Sequence, residues 1–560
     1  MAVRADLIVT GRIATLAGAR GFGWVQAIAV GEGRIVAAGR RTTVGSLQGP
    51  ATRRLDLGPH EVLLPAITDA HLHLTDAAVA GQRVQLDGLA LDATLERLAA
   101  LHQERLRAGD LAGWIEGLGW SIDQLGSWPE ADALERVAPG RPIALWSHDL
   151  HTRWVSRAAL AAAGITSRTP DPPGGSIAHD GQGQPSGLLL EHAAGLVDRA
   201  IPPLDEALLA RAIAAYAARL AGLGVVGCHD PGGLAPDPDM ERGPVQYARL
   251  AQAGRLPLRV HASVRPEQLD AAEGRGLRSG QVLGQGAARH ADPVADRAAA
   301  RARVGWLKLF ADGALGSRSG ALLSPYADRG GQGRLLLTPG ELRGLIARAA
   351  RIGIVPQVHV IGDRALRVAL DALEAVPSAR GGRVWARLEH VQLAAARDVA
   401  RLRGLGVAAS VQPAHLLHDA AMARRAWPRR QARAYRWGSL ASTGIPLPFG
   451  TDAPVEPPDP WPGIATAVTR RLPDEARPFP GAEQLELARA IRAATLDPAV
   501  VAGEEGHGGR LTPGHRADFI VIPAEALAEP VRPGGALAGC RPRLTVMDGE
   551  TVARAADFDR

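Results

Sequence analysis

Eight short runs of β character recur along this chain, at 62–68, 224–228, 258–261, 304–310, 355–359, 384–390, 407–412 and 445–450. Alanine- and leucine-rich stretches of helical spacing follow several of them, for example at 363–375 and 394–403. The run 206–223 reads as a helix that leads into the second strand, with Gly222 and Gly224 near its end. Parallel strands need a long crossover, usually a helix, so strands alternating with helices read as β–α units. Eight such units predict an α/β fold, a (β/α)8 TIM barrel. Asp363 is expected to cap the helix after the fifth strand.

Residues 1–62 hold short β segments separated by glycine turns, and 505–560 look the same. Neither end could close a core alone. Paired, they are expected to form one small β-sandwich built from both termini, leaving 63–504 to the barrel. The interval from about 75 to 205 is too long for a loop. It carries strand-like pieces at 113–116 and 142–146 and a Pro/Gly-rich stretch at 170–187, so it reads as a subdomain inserted after the first barrel strand. Five tryptophans fall in it: Trp114, Trp120, Trp128, Trp146 and Trp154. They either wall an apolar pocket over the barrel mouth or pack the insertion's own core, which is the commoner use.

At 560 residues, 46% of them hydrophobic, the chain can bury a large core and reads as globular. It contains no apolar run of eighteen residues, and its N-terminus lacks the pattern of a signal peptide. Cys228 and Cys540 are the only cysteines and make no disulfide framework, so a cytoplasmic protein is expected, without a membrane partner. The net charge is +6. The densest basic cluster is Arg424, Arg425, Arg429, Arg430, Arg433 and Arg436. With no nucleic-acid motif beside it, it reads as a solvated face. Lys308 is the single lysine among 64 basic side chains. Arginine essentially cannot lose its proton, whereas a buried lysine can react as a neutral amine. Either this lysine survived by chance or it stands where arginine cannot serve.

The first strand-like run ends in His71 and His73. Side chains two apart on a strand share a face, so the two imidazoles aim at one point and suit a metal such as zinc. Alone, the pair could equally be an accident of a solvated edge. Barrel active sites lie at the C-terminal ends of the strands, and the other ends repeat the chemistry. Strand four carries Lys308, strand five ends at His359, strand six at Glu389-His390, and strand eight runs into Gly450-Thr451-Asp452. Four histidines, a lysine and an aspartate at one height form a candidate metal ring.

These stretches resemble the amidohydrolase superfamily, and in particular its metal-dependent amidohydrolase 3 branch, which includes N-substituted formamide deformylases. The matching motifs are Asp69-Ala-His-Leu-His73, Lys308-Leu-Phe-Ala-Asp-Gly-Ala-Leu-Gly-Ser317, His359-Val-Ile-Gly-Asp-Arg-Ala365, Glu389-His-Val-Gln392, Ser410-Val-Gln-Pro-Ala-His415 and Gly450-Thr-Asp-Ala-Pro-Val455. The run Gly514-His-Arg-Ala-Asp518 matches as well, so the likeness covers nearly the whole chain. Pro65-Ala66 departs from the branch's usual Pro-Gly, a turn residue remote from the ligands.

The resemblance implies that His71 and His73 hold one metal with Asp452 as a further ligand. His359 and His390 would hold a second metal, and Lys308, carboxylated by CO2, would bridge the two. The cofactor is then two divalent ions, expected to be Zn2+. A mononuclear site with Lys308 as a plain amine stays open. The implied activity is a hydrolase for non-peptide carbon–nitrogen bonds of a small-molecule amide, formamide or cyclic amide. In that reading metal-bound hydroxide would attack, and Asp452 would carry the proton to the leaving nitrogen. An esterase, lactonase or phosphoesterase on the same metals is the alternative. A barrel without catalysis, serving as a binding or assembly protein, is the reading of another class. His151, Asp312, Arg318, Gln392 and His415 are weaker candidates for substrate contact, as are His148, His229 and Asp230. A homodimer is compatible with the sequence but nothing in it specifies one.

Overall fold

The computed structural model describes residues 4–81, 83–202, 205–233, 239–284, 297–376 and 384–558. Seven parallel strands form one sheet in sequential order: β1 (Ile67–Asp69), β2 (Val225–Asp230), β3 (Arg259–Val264), β4 (Ala302–Phe310), β5 (Val355–Val360), β6 (Ala386–His390) and β7 (Val407–Ser410). All six residues of β2 and all five of β6 are buried. That is expected where helices cover a parallel sheet, and it explains why these strands read as continuous runs and not as alternating ones. The sheet curls into a TIM-barrel-like domain. Its crossover helices carry their own start and stop signals. Thr338 and Glu341 form a reciprocal capping box ahead of helix Pro339–Ile352, whose C-cap Gly353 takes φ 81°.

The eighth expected strand, 445–450, is not a regular strand. A single isolated bridge links Val411 and Phe449. The reason is chemical: Pro446 and Pro448 have no N–H to give to a ladder. Their carbonyls still accept from Ala409 and Val411, at 3.1 and 3.0 Å. The amides of Leu447 and Phe449 turn instead to Asp497 and Ala493 on helix Leu487–Val501. On the far side, the Ala70 amide donates to Phe449 O at 2.8 Å, so backbone contacts run from β7 through this segment to the end of β1.

The run 62–68 also divides. Glu61–Pro65 pairs with Leu7–Ala14 and Phe519–Pro523, and the barrel strand begins at Ile67. Neighbouring amides go to different sheets: Ala66 donates to Asp518 O and Ile67 to Gly224 O. Both termini meet in one continuous eight-stranded sheet. Its two faces do different work, as strand alternation requires. Leu63 joins Val9, Ile28, Phe519 and Val546 in a core of the sheet's own, while Val62 and Leu64 join the barrel core.

Between β1 and β2 the chain builds a six-stranded sheet, from Val84–Gln85 to Pro185–Glu191. Trp120, Trp146 and Trp154 lie in its cores, with Trp114 and Trp128 packed against them. Trp120 and Trp128 also reach a cavity at the barrel mouth. Asp363 does not cap its helix. It is the first residue of helix Asp363–Glu374, after N-cap Gly362, and accepts the Leu323 amide at 2.8 Å.

Candidate metal centre

Distant strand ends are drawn together at one point. Asp69, the last residue of β1, takes the His71 and Thr451 amides on Oδ1 and the Thr451 hydroxyl on Oδ2. Beyond it the two loops are joined by backbone: Asp452 N donates to His71 O at 2.6 Å and His73 N to Ala453 O at 2.9 Å. Position 450 must be glycine, because a Cβ there would lie 2.5 Å from the His71 amide nitrogen. This junction sets Asp452 Oδ1 at 3.3 Å from His71 Nε2 and 3.5 Å from His73 Nε2. His390 and Asp452 both hold positive φ, 69° and 63°, a costly backbone for side chains with a Cβ and one that clusters at functional sites.

Each imidazole is oriented from behind. His71 Nδ1 hydrogen-bonds Glu389, and His73 Nδ1 donates to Gly232 O at 2.7 Å. Both Nε2 atoms are left facing the centre, the usual way a ligating histidine is held. His359 spends Nε2 on Gly313 O at 3.2 Å, leaving Nδ1 its lone pair. Lys308 Nζ lies 3.2 Å from His71 Nε2. The rings of His359 and His390 stand 4.6 Å apart. The structure thus brings His71, His73, Lys308, His359, His390 and Asp452 to one place.

Electrostatics suits a cation. Burial holds His71 neutral, its pKa down to about 4, and pushes His359 and His390 well below the usual imidazole range. Burial brings the Lys308 amine down to about 8. Burial alone would raise Asp452, but His71, His415 and His73 hold its carboxylate well below the usual range. The donor atoms of His71, His390 and Asp452 lie within 4.8 Å of one another. His390 Nδ1 is buried among them without a hydrogen-bond partner. Neutral imidazoles, a carboxylate and an orphaned ring nitrogen fit a divalent ion of the zinc class.

The weaker candidates separate. His151, Gln392 and His415 line the cavity of about 560 Å3 that opens on the cluster. His151 Nδ1 is 2.6 Å from Glu191 Oε2, and that partner outweighs burial to raise its pKa to about 9. His415 Nε2 is 3.2 Å from Asp452 Oδ2. Asp312 is instead a loop holder: it accepts the Ala321, Ile361 and Gly362 amides at 2.8 to 3.0 Å, and burial raises its pKa to about 7. Arg318 is committed to Asp328 and the Leu315 carbonyl, and is not among the described residues lining the cavity. His229 and Asp230 are engaged by Arg387 and Tyr247.

Sequence reasoning missed the layer beneath. Buried Arg387 donates to Glu389, Ala70 O and Ser410, and Gln357 links Glu389 to Ser263. The signal was available: Arg387 and Glu389 are two apart on β6, Gln357 and His359 two apart on β5. Polar residues at that spacing inside apolar strands share an inward face.

Comparisons with known proteins give the family. The profile of the amidohydrolase family matches residues 61–553. The Bacillus subtilis (strain 168) protein YtcJ is 30% identical over 510 residues, covering 90% of this chain and 92% of that protein. The N-substituted formamide deformylase of Arthrobacter pascens is 28% identical over 511 residues, covering 89% and 90%. A metal-dependent hydrolase from Pyrococcus furiosus superposes with a TM-score of 0.68 at 27% identity, covering 92% and 98% of the two chains. With its profile match running from the last strand before the barrel to the final strand of the terminal sheet, this chain belongs to the amidohydrolase family.

Proposed function

We propose that this protein is a metal-dependent hydrolase of a non-peptide carbon–nitrogen bond in a small amide, N-substituted formamide or cyclic amide. The observation that carries it is the single lysine amine, 3.2 Å from His71, beside an aspartate that meets His71 and His73 at 3.3 and 3.5 Å. His71, His73 and Asp452 would hold one Zn2+ and His359 and His390 a second, with carboxylated Lys308 between them. A bound divalent ion supplies Lewis acidity, lowering the pKa of water and polarising the scissile carbonyl.

The chain's own groups do the rest. Asp452 takes the proton of the attacking water and hands it to the leaving nitrogen, which would otherwise depart as a poor amide anion. His415, 3.2 Å away, fixes that carboxylate. His151, charged beside Glu191, offers a donor to the developing oxyanion. Gln392 Oε1 is buried without a partner and suits a substrate N–H. Trp120, Trp128, Leu315 and Met422 give the cavity apolar walls that fit a hydrocarbon substituent and exclude water. No helix among the described residues is long and apolar enough to cross a membrane.

The test is metal analysis of purified protein followed by a panel of N-formyl and N-acyl amines. Turnover that tracks metal content supports the reading. Metal-loaded protein that cleaves esters, lactones or phosphoesters and no amide overturns it.

A further inference from the structure

A second set of donors converges at the rim of the cavity, outside the central cluster. Glu456 is 2% exposed, and the ion-pair contacts of its carboxylate are with imidazoles. His418 Nδ1 is 2.6 Å from Oε2, and His148 Nε2 is 3.9 Å from Oε1. The other nitrogen of His148 is 2.8 Å from Asp87 Oδ1, so the ring is held from behind with Nε2 toward Glu456. One donor atom from each of the three residues lies within 4.8 Å of the others. Glu456 Oε2 is itself buried, and its 2.6 Å contact with His418 Nδ1 is not aligned as a directed hydrogen bond.

We propose that His148, His418 and Glu456 form a separate, mononuclear site for a divalent cation of the zinc class. Two imidazoles and one carboxylate favour Zn2+ or Co2+ over Mg2+ or Ca2+, which demand oxygen ligands. Three protein ligands leave a coordination position open. His148 and His418 line the same cavity as His390 and Asp452, so the site borders the substrate space. His148 belongs to the insertion, His418 to helix His415–Ala426, and Glu456 to the segment after the eighth barrel position. An ion here would pin the insertion to the barrel mouth. His415 separates it from the central cluster, with Nδ1 4.0 Å from Glu456 Oε1 and Nε2 3.2 Å from Asp452 Oδ2.

The experiment is equilibrium titration of metal-depleted full-length protein with Co2+, read by bound equivalents and visible d–d absorption. The expected result is one bound equivalent fewer in His418→Ala and in His148→Ala than in the parent, with the remaining bands unchanged. His418 is half exposed, so its variant should fold, and circular dichroism checks both. Equal counts in the parent and both variants overturn the proposal. So does bound Co2+ that vanishes entirely in a His71→Ala/His390→Ala double variant.

Discussion

The same barrel carries a polar cluster at each end, and the two are built on opposite principles. At the N-terminal end, Arg259 at the start of β3 grips Asp518 through two hydrogen bonds of 2.8 and 3.2 Å and also meets Asp548. Arg516, Arg303 and His261 surround Glu504 at 2.6, 3.4 and 3.6 Å. Burial alone would raise Glu504, but His261, Arg516 and Arg303 hold it far below the usual range. Every carboxylate there meets a guanidinium, and the cluster ties the terminal sheet to the barrel floor. At the C-terminal end the groups facing the centre are imidazoles, one amine and Asp452, and His390 Nδ1 is buried without a partner. A cluster whose carboxylates are all paired with guanidinium groups is a latch, even though His261 Nε2 and Arg516 Nε lack a directed hydrogen bond. One that leaves lone pairs pointing inward waits for a cation. In such barrels the first arrangement belongs to stability and the second to chemistry.

The comparison can be broken by moving either property to the other end. The largest expected effect is Asp452→Asn, which should lower kcat about 10³-fold while leaving the thermal midpoint in place; unchanged turnover would remove its role as proton carrier. Next, Glu504→Gln should cost about 3 kcal/mol of stability in denaturant unfolding with full metal content. A fall in bound metal instead would merge the two clusters into one system. The same residue fixes an acid limit. Its folded pKa is depressed, so its contribution is complete above the ordinary carboxyl value of 4.5 and is lost progressively as pH falls below it toward the depressed folded value. The parent should therefore lose stability faster than Glu504→Gln in acid titrations.

Lys308→Arg keeps a positive charge but cannot form a carbamate. It should cost roughly 100-fold in kcat, about 2.7 kcal/mol, and added bicarbonate should not restore it. Parent-like turnover would leave Lys308 as a plain cation. The smallest effect should come from Glu389→Gln, which disturbs His71 from behind and should weaken metal affinity about 30-fold, as measured by chelator competition. A pure stability loss with intact affinity would make Glu389 part of a latch and blur the distinction between the ends.

Much of this was legible before any coordinates. The β–α alternation, the two-residue spacing of His71 and His73 and the isolation of Lys308 are local or compositional facts, and they pointed to a TIM-barrel-like domain with a candidate metal cluster. The eighth strand misled because hydrophobicity alone does not register that Pro446 and Pro448 cannot donate to a ladder. Asp312 lies in a motif that resembles the family and Arg318 directly follows it, yet Arg318 is held by Asp328 and Asp312 by three amides. Proximity in a motif says nothing about where a side chain points.

The sequence by itself determined which elements form and which chemistry their ends carry, because strand and helix periods and residue types are properties of short stretches. The tertiary structure alone decided which groups meet. Lys308 and His71 are 237 residues apart, and Glu389 and His71 are 318 apart. Contacts at that separation depend on how the sheet curls and on its register, set by backbone hydrogen bonds and core packing summed over the whole barrel. No short stretch of residues encodes that sum, so it is the fold that turns six scattered side chains into one cluster.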